Sequence, residues 1–184
     1  MFVQRRGIVL LAMAAVLTGC GHGGLPGDVY KLDKACSGTT YGDAAPYSGK
    51  APHPVAVFMP SEVGQLLPET PTLSDQSAAI DGYTGKPAAV QLVACGTLKG
   101  AQRSGSCGGY LGLDRSIPMT RATYRIRVYE LRTHRQVRSV VVQGADTTCP
   151  SSISANYTPK KMLSALTDEQ WRTVLDGPVE RPPK

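Results

Sequence analysis

Between positions 120 and 143 the chain alternates: Tyr124, Ile126 and Val128 take one side and Arg125, Arg127 and Tyr129 the other. A period of two over this length marks an extended strand with one buried face, because successive side chains on a strand point to opposite sides. After Arg132-Thr133-His134 the chain returns as 137–142, which predicts an antiparallel hairpin. A three-residue loop places His134 in the left-handed conformation, where Gly is usual and His is tolerated at some cost. Pairing Leu131 with Arg135 then sets Ile126 beside Val140 and Tyr124 beside Val142 on the core face. The opposite face carries Arg125, Arg127, Tyr129, Val137, Ser139 and Val141.

The N-terminus has the parts of an export signal: Arg5 and Arg6, an apolar run over 8–17, then small residues. The run is shorter than the roughly 20 residues a bilayer span needs. Leu17-Thr18-Gly19-Cys20 resembles the lipobox of bacterial lipoproteins. The resemblance implies that 1–19 is cleaved and that Cys20 carries a diacylglyceryl group. The mature chain is then expected on the extracytoplasmic face of the cell membrane, tethered by palmitate-type acyl chains worth about 0.8 kcal/mol per buried methylene. The arginine pair leaves Sec and twin-arginine export both open. Positions 20–35 read as lipidated Cys and tether, with Gly-rich 21–28 as a flexible spacer and His22 as a solvated linker residue.

With Cys20 set aside, Cys36, Cys95, Cys107 and Cys149 remain, an even number in an oxidising compartment. The apolar run 54–59 and the run 88–98 read as strands. Lys99 to Gly105 reads as a turn by composition, with a further strand from Cys107 to Leu113. A hairpin centred near Ala101 sets Cys95 opposite Cys107, where facing Cβ atoms lie about 4.5–5.5 Å apart, close to disulfide reach. Elimination pairs Cys36 with Cys149. The segment 29–54 reads as irregular, and 61–86 as a loop long enough to hold short hidden elements or a function. Thr158-Pro159 suggests a helix start and Thr167 with Gln170 a capping box, so one helix or two short ones both fit, ended by Gly177-Pro178. These elements predict one α+β domain over 36–176, with 177–184 as a tail. It has an antiparallel sheet of four or five strands, a C-terminal helix packed on one face, and two disulfides. Two Phe and one Trp leave its core to Val, Leu, Ile and Tyr.

No catalytic motif survives its context. Gly105-Ser106-Cys107-Gly108-Gly109 has the form of a nucleophile elbow, but an elbow needs a strand before and a helix after, and Cys107 is wanted for a disulfide. Ser154-Ala155-Asn156 resembles the middle motif of penicillin-binding enzymes without its partner Ser-x-x-Lys. His53 and His134 lack ligand spacing to a second His, Cys or carboxylate, so no metal and no cofactor are predicted. Two of the twenty basic residues leave with the signal, so eighteen face fourteen acidic ones, an excess of +4. That favours anionic surroundings, and no aromatic-interleaved basic motif points to nucleic acid. Arg125 and Arg127 are the candidate anion-binding residues, since guanidinium groups suit phosphate and carboxylate. A solvated, edge-protecting face is the plainer explanation for them.

Pro52-His53-Pro54-Val55, Val90 to Cys95, the strand from Tyr124 with its Glu130-Leu131-Arg132-Thr133 turn, and Cys149-Pro150 together resemble a group of exported actinobacterial proteins with no assigned activity, many of them lipoproteins. The resemblance spans 36–176. It implies the fold and its disulfides but no mechanism. The expected function is therefore a non-enzymatic, membrane-anchored binding or scaffolding module whose partner is an anionic envelope polymer, a lipid or a protein. The alternative is an envelope hydrolase with a site assembled from loops around His53 or His134, including 61–86.

Overall fold

The computed structural model describes residues 22–153 and 158–181; Cys20 with its lipobox and the motif at 154–156 lie outside the described residues. In chain order come β1 (His22–Gly23), a 3-10 helix (Val29–Ser37), β2 (Thr40–Tyr41), β3 (Val55–Pro60) and β4 (Leu66–Glu69). Two short 3-10 helices then lead to β5 (Leu92–Cys107), β6 (Ile117–Glu130), β7 (Gln136–Gln143), β8 (Met162–Leu163) and α1 (Asp168–Glu180). The fold is α+β. Its main sheet runs β4-β3-β5-β6-β7, with β8 beside β6 as the sixth strand. Pairing is antiparallel except for β3 with β5 and β6 with β8. The edge strand β4 comes from the segment that composition presents as loop.

The β6–β7 hairpin has the expected inner register, Ile126 beside Val140 and Tyr124 beside Val142, and His134 sits at φ 59°. Its closure differs by one residue. The Glu130 N–H donates to the Arg135 carbonyl at 2.9 Å and the His134 N–H to the Glu130 carbonyl at 2.8 Å. The register is recovered by a bulge that leaves Val137 unpaired between Arg138 and Gln136. Val137 consequently packs on the core cluster and not on the arginine face.

The largest departure is β5. Its sixteen residues form one strand, paired with β6 from Leu92 opposite Glu130 to Cys107 opposite Ile117. Lys99 to Gly105 is therefore strand, and the turn lies beyond Cys107, where Gly109 and Gly112 take φ of 80° and 76°. Cys95 and Cys107 stand on the same strand, about 40 Å apart at roughly 3.3 Å per residue. The expected pairs Cys95–Cys107 and Cys36–Cys149 are thus both wrong: the disulfides are Cys36–Cys95 and Cys107–Cys149.

Around the inner half of β5, from Leu92 to Gly96, both faces of the sheet are covered. On one, α1 lays Trp171, Val174, Leu175 and Val179 against Val55, Leu92, Ala94, Tyr124, Ile126 and Val128. On the other, Val29, Leu32 and Ala35 pack with Phe58, Val93 and Leu131. Their spacing of three residues puts one face of the 3-10 helix on the sheet, and Cys36 bonds it there. Ordered structure therefore enters the segment assigned to the tether. A capping box of Thr167 and Gln170 starts α1. Thr158-Pro159 starts no helix. Nor does Gly177-Pro178 end α1, because the last turn is held from outside: the Tyr47 hydroxyl donates to the Pro178 carbonyl at 2.8 Å and the His53 N–H to the Val179 carbonyl at 2.8 Å.

Candidate functional site

Alternation along β6 places Arg125 and Arg127 on the face away from α1. Arg125 stands between Thr97 and Val141, and Arg127 between Cys95 and Ser139. Both arginines are half-buried, and Val141 beside them is exposed. Arg127 lines a cavity of about 360 Å3 with the Cys36–Cys95 disulfide, Thr97, Leu66 and Tyr129; Arg125 does not reach it. Among the described residues the ion pairs are Lys31 with Asp28 at 3.1 Å and Arg135 with Glu130 at 3.4 Å. Neither compensates Arg125 or Arg127. A half-buried guanidinium with no carboxylate beside it retains its attraction for an incoming anion.

The histidines do not meet. His53 is fully buried; its Nδ1 lies 2.8 Å from Gln91 Oε1, and its ring meets Tyr47 edge-on at 4.7 Å. His134 stacks flat on Tyr129 at 4.2 Å. No serine or carboxylate hydrogen-bonds to either ring among the described residues, and both serve packing. Cys107 is bonded to Cys149, which removes the thiol that the elbow-like sequence presents.

A second cavity, of about 270 Å3, is lined by Glu69, Tyr124, Ser61, Lys161 and Met162 among others. It forms where β4, β6 and β8 come together. Glu69 accepts a hydrogen bond from Trp171 Nε1 at 3.2 Å, and burial holds its carboxyl above the usual range, opposed by that bond. The Tyr124 hydroxyl donates to the Ser164 carbonyl at 2.8 Å. Burial, and then the charge of Glu69, push it up to about 12. Ser61 Oγ is buried with no hydrogen-bond partner among the described residues. Sequence reasoning places Tyr124 on the core face of the hairpin but assigns none of these groups to a site. The one signal was the length of 61–86, too long for an idle loop.

Comparison with family models, with curated proteins and with solved structures found no match. Among the described residues no helix is long and apolar enough to cross a membrane.

Proposed function

We propose that this protein is an envelope lipoprotein, anchored through Cys20 on the extracytoplasmic face of the membrane, whose domain binds an anionic group without catalysing a reaction on it. The anchor rests on the lipobox alone. The binding reading is carried by one observation: Arg127 lines an open cavity and has no carboxylate partner among the described residues, with Arg125 on the same face. Its partner is anionic polymer, lipid headgroup or acidic protein surface. Replacing both arginines, Arg125→Gln with Arg127→Gln, should weaken association with anionic vesicles or wall polymer. Because salt screens such contacts, the difference should shrink at high ionic strength. An unchanged association at low salt overturns the reading.

The hydrolase reading finds its support away from His53 and His134, in the cavity at Glu69. A carboxyl held protonated to higher pH by burial suits general-acid chemistry, and Ser61 and Tyr124 line the same space. Turnover of envelope material that Glu69→Gln abolishes would favour it over binding.

A further inference from the structure

Arg138 pairs with Val128 across β7 and β6, so it lies on the α1 face of the sheet, opposite to Arg127. Its Nη2 donates to the Thr173 carbonyl of α1 at 3.0 Å. The guanidinium runs so close to the helix backbone that a Cβ at Gly177 would come within 2.7 Å of Nη1. Arg135, at the end of the β6–β7 turn, and Arg181, just past α1, line the same cavity of about 320 Å3 with Arg138, Tyr47, Gln136 and Gly177.

The ordinary role for an arginine here is to tie the helix to the sheet, and Arg138 fills that role with one nitrogen, on the Thr173 carbonyl in the middle of α1. The role leaves three things over. Arg138 Nε is buried and has no acceptor among the described residues, a costly state for a charged donor. Arg181 is exposed beside the same cavity. Among the described residues, Arg135 alone of the three guanidinium groups has a carboxylate, Glu130 at 3.4 Å, and Glu130 is also held by the Thr133 hydroxyl at 2.5 Å. Two positive charges without a carboxylate among the described residues therefore line one open volume. That volume sits at the small end of ligand pockets, which run from about 300 to 1,000 Å3.

We propose that this cavity binds a phosphate monoester as its dianion, with the Arg138 and Arg181 guanidinium groups as donors and Arg135 adding positive charge at the rim. Two uncompensated guanidinium groups match a charge of minus two, and their planar forks suit phosphate oxygens. The volume takes a phosphate with a small substituent. The site is separate from Arg125 and Arg127 and does not depend on the binding function proposed for them.

The test is calorimetric titration of the full chain with inorganic phosphate and with glycerol phosphate, against chloride at matched ionic strength. A parallel arm measures cosedimentation with vesicles containing phosphatidic acid. The proposal expects phosphate to bind more tightly than chloride, and Arg181→Gln to weaken phosphate about tenfold, the loss of one charge-assisted contact. Arg103→Gln, at an exposed arginine of β5 that lines neither cavity, should leave it unchanged. Glycerol phosphate binding should also fall from neutral pH toward pH 5 as the monoester dianion takes up a proton near pH 6 and becomes a monoanion, whereas sulfate, a dianion throughout, should keep its affinity. Arg138→Gln could loosen α1, so Arg181→Gln, at an exposed position beyond the helix, carries the decision. Binding of the soluble esters alone assigns the site to a free phosphate, and Arg181-dependent binding of the vesicles assigns it to a lipid headgroup. Binding of neither overturns the site, as does phosphate binding that Arg181→Gln leaves intact or a loss that Arg103→Gln reproduces.

Discussion

The β5–β6 ribbon has two unlike halves. In the inner half, Leu92, Val93, Ala94, Cys95 and Gly96 of β5 are all buried, with α1 on one face of the sheet and the 3-10 helix of Val29–Ser37 on the other. In the outer half, every residue of β5 from 99 to 106 is exposed. Only a small cluster of Cys107, Tyr110, Ile117 and Met119 holds the far end. The same two strands pair throughout. Pairing, not burial, sets how long a strand runs, while burial sets whether its sequence advertises it. A strand covered on both faces reads as an apolar run, one covered on a single face alternates, and one covered on neither carries no hydrophobic pattern at all.

Each half has its own disulfide, and removing them one at a time should separate the halves. The Cys36–Cys95 bond spans 59 residues and the Cys107–Cys149 bond 42, so chain entropy alone assigns about 4 kcal/mol to each. The inner bond pins the 3-10 helix across the sheet, and its loss should weaken the whole domain. Replacing Cys36 and Cys95 by Ala should therefore lower the unfolding free energy by about 4 kcal/mol in denaturant titration. The Cys107→Ala, Cys149→Ala pair should lower the global midpoint less, because the outer half can open without disturbing the core. Its effect should appear as faster amide hydrogen exchange confined to the outer ribbon. Equal losses of global stability would erase the distinction between the halves.

The same contrast explains what could be read from the sequence. Ile126 beside Val140, and His134 in the left-handed region, follow from alternation and turn chemistry within one hairpin. The α+β composition and the C-terminal helix with its Thr167 and Gln170 capping box follow from equally local signals. The disulfide partners did not, because Lys99, Gly100, Ser104 and Gly105 look like a turn to any composition-based reading, and that turn folded Cys95 back onto Cys107. Nor could local signals place the cavities. Arg125 and Arg127 are adjacent on one strand and therefore visible, whereas Arg135, Arg138 and Arg181 meet only because α1 continues past Pro178. Glu69 is set opposite Val57 by the β3–β4 hairpin, whose second strand Leu-Leu-Pro-Glu shows no alternation, and its partner Trp171 arrives from α1, a distant contact that leaves no local trace.

The inner half also carries a cost that the outer half lacks, the carboxyl of Glu69 buried beside Tyr124. Burial raises its pKa above the ordinary 4.5, partly countered by Trp171. The folded state thus holds the proton more tightly than the unfolded chain does. By linkage the penalty is absent below the unfolded value and grows as pH rises through the raised folded value. Glu69→Gln keeps an oxygen for Trp171 Nε1 and removes the charge. Its melting temperature should exceed that of the wild type at neutral pH, with the gap closing as the pH falls below 4.5. A gap independent of pH would mean that shape or hydrogen bonding, and not charge, governs this position.

The smallest effect is expected at the turn that closes the inner half. The outer turn meets positive φ with Gly109 and Gly112, while the inner turn uses His134 at φ 59°. A side chain there costs about 1–2 kcal/mol relative to a right-handed residue. The stack on Tyr129, at 4.2 Å and nearly parallel, returns about 0.5–1.5 kcal/mol. Asn tolerates the same backbone but has no ring to stack, so His134→Asn should cost about 1 kcal/mol. Repeating the substitution in a Tyr129→Leu background isolates the ring contact. If stacking is the reason for histidine, the cost should largely vanish there, because the partner ring has already gone. A cost that persists undiminished would show that the imidazole is kept for the backbone of the turn itself. The two turns would then differ in strain and not in packing.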